Sequence, residues 1–132
     1  MSTAPSSPTR EPWTIKRAAD WIIRILLVLA FLAAGAAKLA GAPPMVVIFE
    51  QIGAGQWFRF VTGTLEIVGG LLVLVPRTSI WGALLLACVM VGAVFTHLAV
   101  IGGNPAPAFV LLALCGAVLW LRRKHLRAAI GV

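Results

Sequence analysis

Three ionisable side chains stand inside stretches of sequence that are otherwise apolar. Glu66 lies in "GTLEIVGGLLVLVP" (63–76), Lys38 in "LAAGAAKLAG" (32–41) and His97 in "GAVFTHLAVIGG" (92–103). A carboxylate in hydrocarbon is costly unless it is neutralised, and such residues mark relays, pathways or ligand sites. The flexible stem of Lys38 makes it the expected partner of Glu66. His97 adds an imidazole, a group that exchanges protons near neutrality. Thr62, one helical turn before Glu66, adds a hydroxyl to the same face. Together the four form a candidate ligand or proton-relay site.

Each residue also has a structural reading. A Lys–Glu pair can simply lock helix register, His97 can bond a neighbouring carbonyl, and Lys38 can snorkel to head groups. The coincidence of three such groups is what favours function. No catalytic motif is complete, so no catalytic residue is assigned. Cys88 and Cys115 form no CxxC and no metal-ligand spacing, so no metal site is expected. Both read as small buried hydrophobes.

The elements that must position these groups follow from composition. Of 132 residues 61% are hydrophobic, 11% are charged, and mean hydropathy is +1.00. A soluble domain of this size would have to expose too much apolar surface to water, so the expected solvent is a lipid bilayer. A spanning helix uses roughly 20 residues, and spans are expected at about 21–41, 58–75, 79–103 and 105–121. Helices are required because hydrocarbon cannot satisfy unpaired backbone groups. Pro76 stops the second span, Thr78 or Ser79 caps the third, and Asn104 caps the fourth with Pro105 at its first position. Short turns at "PRT" and "GGN" imply antiparallel neighbours. The fold class expected is therefore all-α, an integral membrane antiparallel four-helix bundle. Met45–Ile52, between the first two spans, suits a short interfacial helix with Glu50 and Gln51 facing water.

Nine of the eleven basic residues fall on one side of these spans, and only Lys38 and Arg59 approach the other. Positive charge stays inside, so both termini are expected in the cytoplasm and the protein in the cytoplasmic (inner) membrane. Trp21, Trp57, Trp81 and Trp120 fall near span ends, which agrees. The chain divides into a disordered polar and basic tail (1–17), a four-helix domain (18–121) and a basic cytoplasmic tail (122–132). The net charge of +7 does not point to nucleic acid, because the basic residues flank apolar blocks and no binding motif is present. The tail "RRKHLR" reads as an anchor to anionic lipid. Signal-peptide cleavage near "AGA" (40–42) is disfavoured by Lys38 before it and Pro43 after it.

On this topology Lys38, Glu66 and His97 all fall in the outer half of the membrane. Glu66 lies roughly 12 Å and His97 roughly 9 Å below their helix ends, at about 1.5 Å per residue. Thr62, Gly69 and Gly70 share the face of Glu66, Ala34 and Gly35 that of Lys38, and Met90 and Ala93 that of His97. Small residues on such faces let helices approach closely.

The stretches "RILLVLAFLAAGAAKLAG", "FEQIG", "WFRFVTGTLEIVGGLLVLVP" and "GALLLACVMVGAVFTHL" resemble the DoxX-like family of small four-helix membrane proteins, over roughly residues 22–121. The resemblance rests on G-x-x-K-L at Gly35–Leu39, E-x-x-G-G at Glu66–Gly70 and the Thr96–His97 pair. It implies a link to quinones and sulfur redox, because the family includes homologues of a small subunit of a thiosulfate:quinone oxidoreductase. It transfers no catalytic residue.

Two functions are therefore expected to compete. In the first, the chain is an accessory subunit of a quinone-linked redox system. Lys38, Glu66 and His97 then meet the quinone head group, Trp57 and Phe60 lie near the mouth, and a redox partner protein supplies electrons. No cofactor motif is encoded, and one histidine in the spans is too few for bis-histidine haem ligation. In the second, the chain is a non-enzymatic scaffold or small-molecule conduit whose buried charges only fix packing. A secondary transporter would need a second copy to rock against, so a homo-oligomer is the assembly that reading requires.

Overall fold

The computed structural model describes residues 15–131. The tail expected to be unfolded lies outside the described residues over 1–14, as does Val132. The elements are α1 (Ile15–Ala40), α2 (Pro43–Ile52), α3 (Gln56–Leu74), α4 (Ser79–Thr96), α5 (Ala106–Leu121) and α6 (Arg123–Ala129). A π-helical turn, His97–Ile101, carries α4 onward without a break. Among the described residues there is no strand.

Boundaries differ from expectation at both tails. Residues 15–17, placed in the N-terminal tail, are the first turn of α1. Good helix formers in "IKRAAD" and the Asp20–Arg24 pair at i, i+4 carry the helix back beyond Trp21. In the C-terminal tail, residues 123–129 form α6, bent by 73° from α5. The loop helix expected at Met45–Ile52 begins earlier, at Pro43, where proline suits a first turn, and Glu50 and Gln51 are exposed. At α5 the cap is displaced by one residue. Pro105 takes the N-cap position, and Asn104 accepts a 3.0 Å hydrogen bond from the Ala106 amide. Thr78 precedes α4 as expected, but its hydroxyl donates to Leu72 O at 2.8 Å rather than capping the helix.

Among the described residues, three helices are long and apolar enough to cross a membrane: α1, α3, and α4 with its π turn. Joined across their bend, α5 and α6 make a fourth candidate. Alone, α5 has 16 residues, about 24 Å at 1.5 Å per residue, short of a hydrocarbon core of about 30 Å. Leu27, Phe31, Val73, Leu86, Cys115 and Val118 are fully enclosed between the helices, while Leu29, Leu71, Val91 and Val110 face outward. An apolar exterior of this kind fits contact with lipid.

Small residues decide how closely the helices approach. A Cβ at Gly35 would lie 2.8 Å from Gly63 O, and one at Gly82 would lie 2.6 Å from Val73 N and 2.7 Å from Gly69 O. The glycines put α1 and α4 directly on the backbone of α3. That contact sets the depth at which the α1 and α3 side chains meet.

Candidate functional site

The α1–α3 contact brings two of the expected residues together. Lys38 Nζ lies 2.9 Å from Glu66 Oε2, and Glu66 is only 2% exposed. Gly63 lies against Lys38 Cβ, so the lysine stem runs along the small-residue face toward the carboxylate. Pairing offsets part of the penalty for a buried glutamate.

The pair forms part of the wall of a cavity of about 670 Å³. All four expected site residues, Lys38, Thr62, Glu66 and His97, line it. The remaining wall is mainly apolar, with Phe31, Phe49, Phe58, Met90 and Leu111 among its members. Met90 and Ala93, on the helical face assigned to His97, also line it. A largely apolar volume of this size with a few convergent polar groups is the usual form of a small-molecule site.

The polar groups differ in what they can offer. Thr62 donates its hydroxyl proton to Phe58 O at 2.8 Å, which leaves only lone pairs for a ligand. Glu66 is held by Lys38. The His97 ring is half-buried, and its Nδ1 is enclosed without a hydrogen-bond partner. Gly102, at φ 66°, turns the chain after the π-helical residues, and a Cβ on Gly103 would come 2.8 Å from His97 Nδ1. The glycine pair therefore leaves room for the ring. π-Helical turns are rare and cluster at functional sites, because one extra residue rotates the side chains around them. Here Thr96 bonds back to Gly92 O at 2.8 Å just before the turn begins, a contact that bends helices.

One expectation needs correction. Cys88 is exposed and contributes to the cavity wall, whereas Cys115 is buried as expected. Trp57 and Phe60, expected near the mouth, are not lining residues themselves, although Trp57 packs edge-on against Phe58, which lines the cavity. Trp57 Nε1 donates to Ala54 O at 2.8 Å, and Phe60 lies under the Arg59 guanidinium at 4.4 Å. The aromatic contribution from this turn comes from Phe58, on the intervening helical face.

Two arginines matter more than sequence reasoning allowed. By sequence Arg59 reads only as an outer-side charge. It is buried, bonds Gln56 Oε1 at 2.8 Å, and donates from Nη1 to Lys38 O near the end of α1. Arg24, by sequence an inner-side charge, is fully buried. It donates to Val73 O at 2.9 Å and Leu74 O at 2.7 Å and faces Asp20 at 3.4 Å. Arg24 satisfies carbonyls left open at the end of α3, whereas Arg59 adds a second donor to Lys38 O, which already accepts from the Gly41 amide at 3.3 Å. The acid at i−4 from Arg24 was the signal in the sequence.

A family description, the DoxX-like family, matches residues 22–121. The chain belongs to the DoxX-like family. No curated protein and no solved structure gave a match. Within this DoxX-like chain the matched region holds the Lys38–Glu66 pair, His97 and the whole of the cavity wall.

Proposed function

We propose that this DoxX-like chain is an antiparallel four-helix protein of the cytoplasmic membrane with both termini in the cytoplasm. Its cavity binds a lipophilic, carbonyl-bearing ligand of the quinone class, and the chain serves as an accessory subunit that receives electrons through a partner protein. The observation that carries the ligand reading is the apolar cavity of about 670 Å³ with Lys38, Glu66 and His97 in its wall. A quinone ring and tail want an apolar enclosure, while its carbonyl oxygens want donors, which Lys38 and His97 can supply. The antiparallel arrangement is supported by paired contacts: Arg24 meets Val73 and Leu74, whereas Lys38 meets Glu66. Numbers rising along α1 fall along α3.

Mass spectrometry of small molecules retained by the full chain in mild detergent tests the ligand reading. A quinone-class compound should be retained by the native protein and lost in His97→Ala. Folded native protein carrying no such compound would favour the scaffold, a reading supported by the self-contained Lys38–Glu66 pair and the glycine contacts around it.

A further inference from the structure

The opposite end of the bundle carries a second, smaller concavity of about 230 Å³, unrelated to the apolar cavity. It is formed where the 73° bend between α5 and α6 brings the C-terminal helix to the first turns of α1. Its wall holds Lys16, Arg17, Asp20, Arg122, Lys124 and His125. Four cations and an imidazole thus surround one carboxylate, and that carboxylate is already engaged. Asp20 faces Arg24 at 3.4 Å and Arg122 at 3.4 Å. Arg122 is further fixed by donating to Pro76 O at 2.7 Å. Leaving Arg17 aside, Lys16, Arg122 and Lys124 still outnumber the one carboxylate among the described residues of this wall.

Its level in the membrane follows from the indoles beside it. Arg24 lies over Trp21 at 4.3 Å and Arg123 over Trp120 at 4.4 Å, with Trp120 largely exposed. Tryptophan collects at the boundary between hydrocarbon and head groups. A basic concavity at that depth opens onto lipid phosphates rather than acyl chains. We propose that this concavity is a stoichiometric site for the phosphate of one anionic phospholipid head group, held between the first turns of α1 and α6. Arg122 is the rigid element, fixed by Asp20 and Pro76, and Lys16 and Lys124 close on the phosphate from the two helices. A bound lipid would tie α6 to α1 and so hold the bend.

The test is native mass spectrometry of the full chain in detergent with added phosphatidylglycerol or phosphatidylcholine. One phosphatidylglycerol per chain should be retained in preference to phosphatidylcholine. Lys16→Gln with Lys124→Gln should weaken that first binding step by on the order of tenfold and leave the thermal midpoint without lipid unchanged. Arg77→Gln with Arg127→Gln removes equal charge outside the concavity from two exposed positions, and should leave the first step intact. Equal losses in the two double variants would mean only diffuse attraction to a basic surface, and would overturn the site. So would equal retention of the two lipids, or displacement of phosphatidylglycerol by inorganic phosphate at constant ionic strength, which would mark a site for a soluble anion.

Discussion

Lys38 Nζ and Glu66 Oε2 meet at 2.9 Å across the α1–α3 contact, while the backbone carbonyl of the same lysine accepts a bond from Arg59. One residue thus joins the buried carboxylate of α3 to the closing turn of α1. Removing either partner strands the other in an apolar wall, which costs about 3–5 kcal/mol for buried pairs in soluble proteins. Glu66→Gln and Lys38→Met should each lower the thermal midpoint in detergent, and the double variant should recover part of the loss. Strictly additive losses would show that the two are not coupled.

Arg24 stabilises the other end of the same helix pair. Its guanidinium reaches Val73 O and Leu74 O as well as Asp20. Arg24→Met keeps the stem but leaves two carbonyls unsatisfied, at about 1–3 kcal/mol for each buried group. The variant should lose several kcal/mol in a denaturation assay. Arg24→Lys should recover little of it, because an ammonium lacks the planar fork that serves both carbonyls and Asp20. Full stability in Arg24→Met would mean that the charge matters only for orientation.

Helix identity, the spans' approximate limits and the Lys38–Glu66 pair were legible in the sequence because each rests on local rules: long apolar runs, proline stops, and opposite charges at comparable depth. The roles of Arg24 and Arg59 were not. A basic residue near a span end has two physical outcomes, head-group contact or capping of a neighbour's carbonyls, and only the packing of α1 on α3 selects between them. The π-helical turn at His97–Ile101 was invisible for a similar reason. Its sequence, "HLAVI", suits an ordinary helix, and the extra residue is accommodated by the Gly102–Gly103 turn that follows. The exposure of Cys88 is not legible because an apolar block does not reveal which of its faces is enclosed.

The glycine contacts make a sharper statement about α4 than its apolar sequence does. Gly82→Val should prevent normal packing, since even a Cβ would lie within 3 Å of two backbone atoms of α3. Gly116→Ala places a methyl where nothing lies within 4 Å and removes the helix penalty of glycine, about 1 kcal/mol. Size-exclusion profiles in detergent should show Gly82→Val aggregated or absent and Gly116→Ala at least as stable as the native chain. Matching profiles for Gly82→Val and the native chain would contradict the close α3–α4 approach.

Orientation has an independent test. With nine of eleven basic residues on one side of the expected spans, a C-terminal reporter active only in the cytoplasm should be active, and one active only after export should be silent. The opposite pattern would overturn the cytoplasmic placement of the C-terminus.

His97 separates the ligand reading from the scaffold. Its ring lines the cavity, and its enclosed Nδ1 bonds no protein group. It therefore contributes little hydrogen bonding to the fold that its loss could remove. In His97→Ala the thermal midpoint should change by only a few degrees, while retention or binding of a quinone-class ligand should fall by roughly tenfold or more, the equivalent of one lost polar contact of about 1.5 kcal/mol. His97→Gln offers a side-chain donor of similar reach, and should recover part of the binding if a hydrogen bond is what the imidazole supplies. A large drop in stability with affinity unchanged would assign His97 to packing against the Gly102–Gly103 turn. In that case the cavity would be a space between helices filled by lipid, and the Lys38–Glu66 pair a device for setting register.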